Sequence, residues 1–146
     1  MAQIILDRLT AQFTAGEVIE LGSALGNEWA RIKRESWTTV AKFLRDDPAL
    51  KLEMFIDLTA VDRLGLRGYE DAPRFDVVLH LYSVSHKHRI RLYCGVPEED
   101  PSVETLVPIW AGADWLVDGV WVVVVVGAAV AVGVGVPAFC WAFHVS

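Results

Sequence analysis

The sequence predicts an α+β domain in two layers, with one mixed or antiparallel sheet of about five strands and helices on one of its faces. Three observations predict it. Two alternating apolar and polar runs flank a short polar turn within RFDVVLHLYSVSHKHRIRLYCGVP, residues 74–97, as in an antiparallel hairpin. A further alternating run, LEMFIDLTAVD, occupies 52–62. Two other segments, 4–13 and 34–48, repeat their apolar residues at helical spacing.

Taken in order, the elements run α-β-β-α-β-β-β-α. In IILDRLTAQF (4–13), Ile5, Leu9 and Phe13 share a helical face with Leu6 beside them, and Gly16 closes the segment. VIELGS (18–23) and EWARIKR (28–34) read as strands around a turn at Gly26-Asn27, with Trp29 and Arg31 on one face and Ala30 and Ile32 on the other. Trp37, Val40, Ala41 and Leu44 fall at i, i+3, i+4 and i+7, which places a helix opened by Glu35 or Ser36. Pro48 cannot continue it. In 52–62 the alternation assigns Met54, Ile56, Leu58 and Ala60 to the inner face and Phe55 and Asp57 to the outer. Asp100-Pro101 has the form of an N-cap followed by the favoured first helical proline, and predicts a short helix over 101–107.

At 146 residues the chain has the length of one domain. Its formal net charge is −6, unevenly placed: residues 1–91 hold all 13 Lys and Arg, and 92–146 hold none. No strong basic cluster exists beyond RIKR at 31–34, which lacks aromatic partners at regular spacing, and this argues against nucleic acid as a partner. Cys94 and Cys140 match no metal or redox spacing. MAQIILDRLTAQF has neither the basic start nor the uninterrupted apolar stretch of a signal peptide, so the chain reads as cytoplasmic.

Candidate chemistry is sparse. His80, His86 and His88 could supply imidazoles to a metal, but Lys87 separates the last two and no carboxylate or thiol accompanies them locally. Asp57 and Asp62 lie an odd number apart on a strand, so they face opposite sides and cannot converge on one substrate. GVGVP (133–137) is not followed by the Lys and Ser or Thr of a phosphate loop. No nucleophile sits in a recognisable elbow. The expectation is therefore no catalytic residue, no cofactor and no metal in this chain, and a function in docking. The residues assigned to docking are the hairpin turn His86, Lys87, His88 and Arg89 together with Trp110 and Trp115. The competing reading is that they cap and fill the domain's own core.

FLRDDPALKLEMFIDLTAVD (43–62) followed by PRFDVVLHLYSVSHKHRIRLYCGVPEEDPSVETLVPIWAGADWL (73–116) resembles the 30 kDa subunit family of NADH:quinone oxidoreductase, respiratory complex I. The pieces are L-T-A-V-D, the R-F-x-V-V-x-H-L hairpin, P-E-E-D-P and W-x-G-A-x-W, in the family's order. The resemblance covers about residues 1–116 and is strongest from 43. It implies an α+β subunit without its own cofactor, packed in the peripheral arm against the quinone-site subunit and near the subunit bearing the terminal iron–sulfur cluster. It also implies a peripheral location on the cytoplasmic side of the inner membrane, with membrane association through partners. Related subunits of membrane-bound hydrogenases and F420H2 dehydrogenases share the domain.

After W-x-G-A-x-W the family continues with a charged signature of which this chain keeps only the aromatic, Trp121, so none of that signature's roles carries over. Residues 117–146 form a divergent tail with twelve Val and four Gly. Three readings fit it: a membrane-spanning helix over 119–143, which would make the chain a small membrane-anchored binding module; a strand-forming tail packed on the sheet or a partner; and the product of an altered reading frame.

Overall fold

The computed structural model describes residues 2–113, 123–126 and 129–132. Its centre is a five-stranded mixed sheet in the order β1-β2-β5-β4-β3. The strands are β1 (Val18–Ala24), β2 (Asn27–Ile32), β3 (Met54–Asp62), β4 (Phe75–Ser83) and β5 (His88–Val96). All neighbours pair antiparallel except β2 and β5, which run parallel. The expected α+β class and five-stranded sheet are present.

Two helices cover the inner face. Helix α1 (Gln3–Gln12) buries Ile5, Leu6 and Leu9. Helix α2 (Trp37–Asp46), preceded by a 3-10 turn at Arg34–Ser36, buries Trp37, Val40, Ala41 and Leu44. These are the residues whose spacing defines each apolar stripe. They meet Ala30 and Ile32 of β2, Val77, Leu79 and Leu81 of β4, and Ile90, Leu92 and Cys94 of β5 in one core. Polar ties fix the helices at their ends. The Ala2 amide donates to the buried Glu28 carboxylate at 2.7 Å, and Arg8 of α1 pairs with the buried Asp47 after α2.

The structure departs from three expectations. First, the β1–β2 turn is one residue earlier than the Gly26-Asn27 reading. Leu25 (φ 53°) and Gly26 (φ 76°) are its central residues, and Ala24 pairs with Asn27. Positive φ at both centres is the type I′ geometry that suits strand twist. The register is set away from the turn: Trp29 lies opposite Gly22, and a Cβ on Gly22 would come within 2.5 Å of the indole.

Second, β3 does not alternate uniformly. Its pairing with β4 slips between Phe55 and Asp57, a bulge that adds one residue and exchanges the faces. Phe55 therefore joins the core side, whereas Met54 and Ile56 are each 46% exposed. Leu58 and Ala60 keep the expected inner face, opposite Leu79 and Val77.

Third, no helix forms over 101–107. A short strand, β6 (Ser102–Glu104), takes its place and pairs with β8 (Ala129–Val132), which in turn pairs with β7 (Val123–Val126). The β-branched Val103, Thr105 and Val107 favour extended backbone, and Val103 gains burial in the core. The Asp100 carboxylate, expected to cap the helix, instead accepts from the Ser102 hydroxyl at 2.8 Å and from Arg34 at 2.9 Å.

Among the described residues no helix is long and apolar enough to cross a membrane. The stretch 119–143, for which a spanning helix is one of the three readings, falls mostly on residues outside the described ones. The two parts of it that are described are the strands β7 and β8.

Candidate functional site

The sheet's outer face is divided into a covered end and an open end. At the covered end the loop 63–73 folds over the strands. Asp76 and Val78 of β4 are buried there. Asp76 accepts both terminal nitrogens of Arg31, at 2.7 and 3.0 Å, and also pairs with Arg63 from the loop. Arg63 stacks on Tyr69, 4.1 Å from its ring centre, and Arg31 lies 5.4 Å from that of Tyr93. Pro73 rests on Gly95, where an added Cβ would approach within 2.9 Å. Asp62 accepts two bonds from Arg74, at 3.0 and 2.9 Å, and these hold its carboxyl below the ordinary range. Arg31, Asp62, Arg63, Arg74 and Asp76 are thus all engaged within the chain, and their role is structural.

The open end gathers the β1–β2 turn, the β4–β5 turn and the start of β3. A shallow cavity of about 340 Å³ runs across it, lined among others by Asn27, Ile56, His80, Tyr82, Arg89 and Arg91. Arg89 and Arg91 alternate along β5 and are exposed. Neither has an ion-pair partner among the described residues; Arg91 donates only to the Tyr93 hydroxyl, at 3.1 Å. Exposed apolar side chains occur at the same end: Ile56 in the cavity lining with both arginines, and Met54, Val84 at 57% and Leu25 at 102% at the start of β3 and in the two turns. Burial, followed by the positive charge of Arg91, pushes the His80 imidazole below its ordinary pKa, against the pull of Asp57.

The four turn residues assigned to docking lie together at this end, but they divide by role. His86 and His88 donate through Nε2 to the carbonyls of Pro48, at 3.1 Å, and Leu50, at 2.6 Å. The Glu53 carboxylate accepts from the Ser85 amide and hydroxyl, at 3.3 and 3.1 Å. The turn is thus pinned to the loop between α2 and β3, and both imidazoles act as internal clamps. Lys87, at φ 55°, and Arg89 project outward. Trp110 is remote in role: it is 6% exposed and packs on Phe55, ring centres 6.0 Å apart. Its indole N–H finds no acceptor among the described residues. Trp115 lies outside the described residues. For Trp110, then, the core-filling reading describes its surroundings.

Leu25, Ile56 and Arg91 also belong to the open end, beyond the residues assigned to docking. Arg91 has a visible signal, the Arg-Ile-Arg alternation that puts it beside Arg89. Leu25 has a weaker one, an apolar residue directly before the turn glycine. Ile56 has none, because a bulge leaves no mark in the alternation.

Cys94 is fully buried in the core and its thiol is pushed up to about 12 by that burial, so it is not a nucleophile. Among the described residues no cluster of three or more His, Cys, Asp or Glu is placed to hold a metal ion. The arrangement that remains is a rigid basic and apolar surface, suited to contact.

Comparison with known proteins gives this surface its context. The family model described as "Respiratory-chain NADH dehydrogenase, 30 Kd subunit" matches residues 30–117. The corresponding NADH-quinone oxidoreductase subunit of Burkholderia cenocepacia (strain HI2424) is 43% identical over 100 residues, covering 67% of this chain and 50% of that protein. That of Geobacter sulfurreducens is 35% identical over 102 residues, 70% of this chain and 59% of its own. The chain spans about half the length of the curated relatives it matches. The solved structure of a trypsin-resistant fragment of Nqo5 superposes with a TM-score of 0.66 at 25% identity, covering 77% of this chain and 86% of the fragment. With more than half its length matched by the family model, the chain belongs to the family of the 30 kDa subunit of respiratory-chain NADH dehydrogenase.

Proposed function

We propose that this chain is a non-catalytic docking subunit in the peripheral arm of a proton-translocating NADH:quinone oxidoreductase. It binds the quinone-site subunit, beside the subunit bearing the terminal iron–sulfur cluster, on the cytoplasmic side of the inner membrane. Electrons pass from NADH to quinone through those neighbours, and this chain holds them in register. It binds no flavin, nucleotide or metal itself.

The observation that carries the docking role is the pair Arg89 and Arg91, exposed and without an ion-pair partner among the described residues, on a rigid strand beside exposed apolar side chains. Arginine with apolar neighbours is the composition enriched at protein interfaces. The sheet edges are poorer candidates, because β1 and β3 each carry a register break, and bulges blunt an edge against strand addition. The histidine clamps hold the docking turn in place before any partner arrives.

Charge reversal at Arg89 tests the proposal. Arg89 makes no ion pair within the described chain, so Arg89→Glu leaves the melting temperature within about 1 °C of wild type. It removes the chain from the NADH-oxidising band of a native gel run on mild-detergent extracts of membranes. Assembly at the wild-type level, or a large fall in melting temperature, defeats the docking role.

A further inference from the structure

We infer that Leu25 is the anchor of the docking end, and that it enters an apolar socket on a protein partner whose rim carries carboxylates facing Arg89 and Arg91. The inference rests on the docking role proposed above and identifies the chemistry of the surface that meets it.

Two independent observations lead here. The first is conformational. Leu25 sits at φ 53° in a two-residue type I′ turn, a position that favours Asn, Asp or Gly. A leucine in the left-handed region is strained by its Cβ. Its side chain recovers nothing inside the chain, since it is 102% exposed, the most exposed large apolar residue described. Asn27, the natural occupant of such a turn, is present two residues later and only donates back to the carbonyls of Ala24 and Leu25, at 3.5 and 3.3 Å. The Trp29–Gly22 register imposes this backbone, but no packing among the described residues uses the Leu25 side chain, which leaves it for a contact outside the chain.

The second observation is electrostatic. Asn27 and Arg89 line the same cavity, so the turn that presents Leu25 adjoins the basic strand. The acids near this end are engaged or weakly placed: Glu28 is buried on the Ala2 amide and Glu53 accepts from Ser85, which leaves Asp57 against Lys87, Arg89 and Arg91. A fully projecting leucine at the same end as two guanidinium groups that have no ion-pair partner among the described residues fits a socket with carboxylates on its rim, because arginine binds carboxylate through paired N–H bonds. An uncharged or basic socket would leave both arginines desolvated without partners.

The test uses the full chain co-expressed with the tagged quinone-site subunit, with the amount recovered on the tag measured across a salt series. Leu25→Asn relieves the turn and removes the anchor. The variant unfolds at a higher temperature than wild type, and its recovery corresponds to about tenfold weaker binding or more, the usual loss when a buried leucine contact is deleted. Arg89→Ala with Arg91→Ala also weakens binding and flattens its salt dependence. Leu64→Asn, at a 68% exposed leucine in the covering loop, binds as wild type. Wild-type recovery of Leu25→Asn overturns the anchor while leaving the docking role intact. An unchanged salt dependence in the double arginine variant overturns the carboxylate rim. Failure of the wild-type chain to bind removes the docking role and this inference together.

Discussion

His88 donates its Nε2–H to the Leu50 carbonyl at 2.6 Å, across 38 residues of sequence. This bond fastens the β4–β5 turn to the segment entering β3, and His86 makes the matching bond to the Pro48 carbonyl. Leu50 is fully buried, so removing the imidazole leaves its carbonyl without this donor. His88→Ala is expected to lower stability by about 1–2 kcal/mol. Amide hydrogen exchange adds a local readout: protection of the Lys87 amide, bonded to the Ser83 carbonyl at 2.8 Å, falls more than that of the central strands. Equal loss across the whole sheet would mean that the clamp is not local.

The strand register depends on a second pair. Gly22 lies under the Trp29 indole, where a Cβ would sit 2.5 Å from ring atoms. The indole is itself held edge-on by Tyr93, ring centres 6.1 Å apart, so it cannot swing aside freely. Gly22→Ala is expected to destabilise by about 1–3 kcal/mol, as overpacking does. Pairing it with Trp29→Leu should recover part of that loss, a non-additivity expected of residues in contact. Strict additivity in urea unfolding would show that the two do not meet.

Much of this fold is readable from residue order. The stripes of α1 and α2, the β4–β5 hairpin and the five-strand sheet follow from periods of 3.6 and 2, because burial on one face imposes those periods. What escapes has physical causes of its own. The β3 bulge inserts one residue without altering composition, so Phe55 and Ile56 exchange faces unseen. The Leu25-Gly26 turn is set by Trp29 stacked opposite Gly22, a contact between strands that outweighs the local preference for Gly26-Asn27. Asp100-Pro101 has the form of a helix start, yet Arg34 and Ser102 claim the carboxylate, and Val103 gains more from the core. The β4–β5 turn is visible through its polar cluster, whereas the division into clamps (His86, His88) and outward-facing charges (Lys87, Arg89) depends on the carbonyls of a distant loop.

Asp76 is the single acid shared by Arg31 and Arg63, and it is 1% exposed. Asp76→Asn keeps the shape and removes the charge, leaving two guanidinium groups with only a neutral acceptor. Because both arginines retain some solvent contact, at 23% and 13% side-chain exposure, the expected cost is about 2–3 kcal/mol, below the range for fully enclosed pairs. Arg63 anchors the covering loop, so limited trypsin digestion of the variant should cut at Arg67 well before the core is cleaved. An unchanged digestion pattern would show that Tyr69 and Pro73 hold the loop without the ion pairs.

His80 makes stability depend on pH, with a sign that follows from its surroundings. Arg91 and Arg89 face it from β5 and Asp57 from β3. Burial and the two arginines outweigh the aspartate, so the folded pKa lies below the ordinary 6.5. Between the folded value and 6.5 the unfolded chain binds more protons than the folded one, and stability rises with pH in that window. Stability is therefore full above about pH 6.5 and declines as pH falls through the folded value, where the imidazole must charge beside two cations. His80→Gln removes this titration, so its urea midpoint should vary less than that of wild type between about pH 7 and pH 5. Partner carboxylates brought against Arg89 and Arg91 would also neutralise the charges that depress His80. Its imidazole pKa, followed by NMR, should then rise in the complex with the quinone-site subunit. A fall on binding would mean that the added burial, the largest cause of the lowered value in the free chain, outweighs whatever carboxylates approach this end of the sheet.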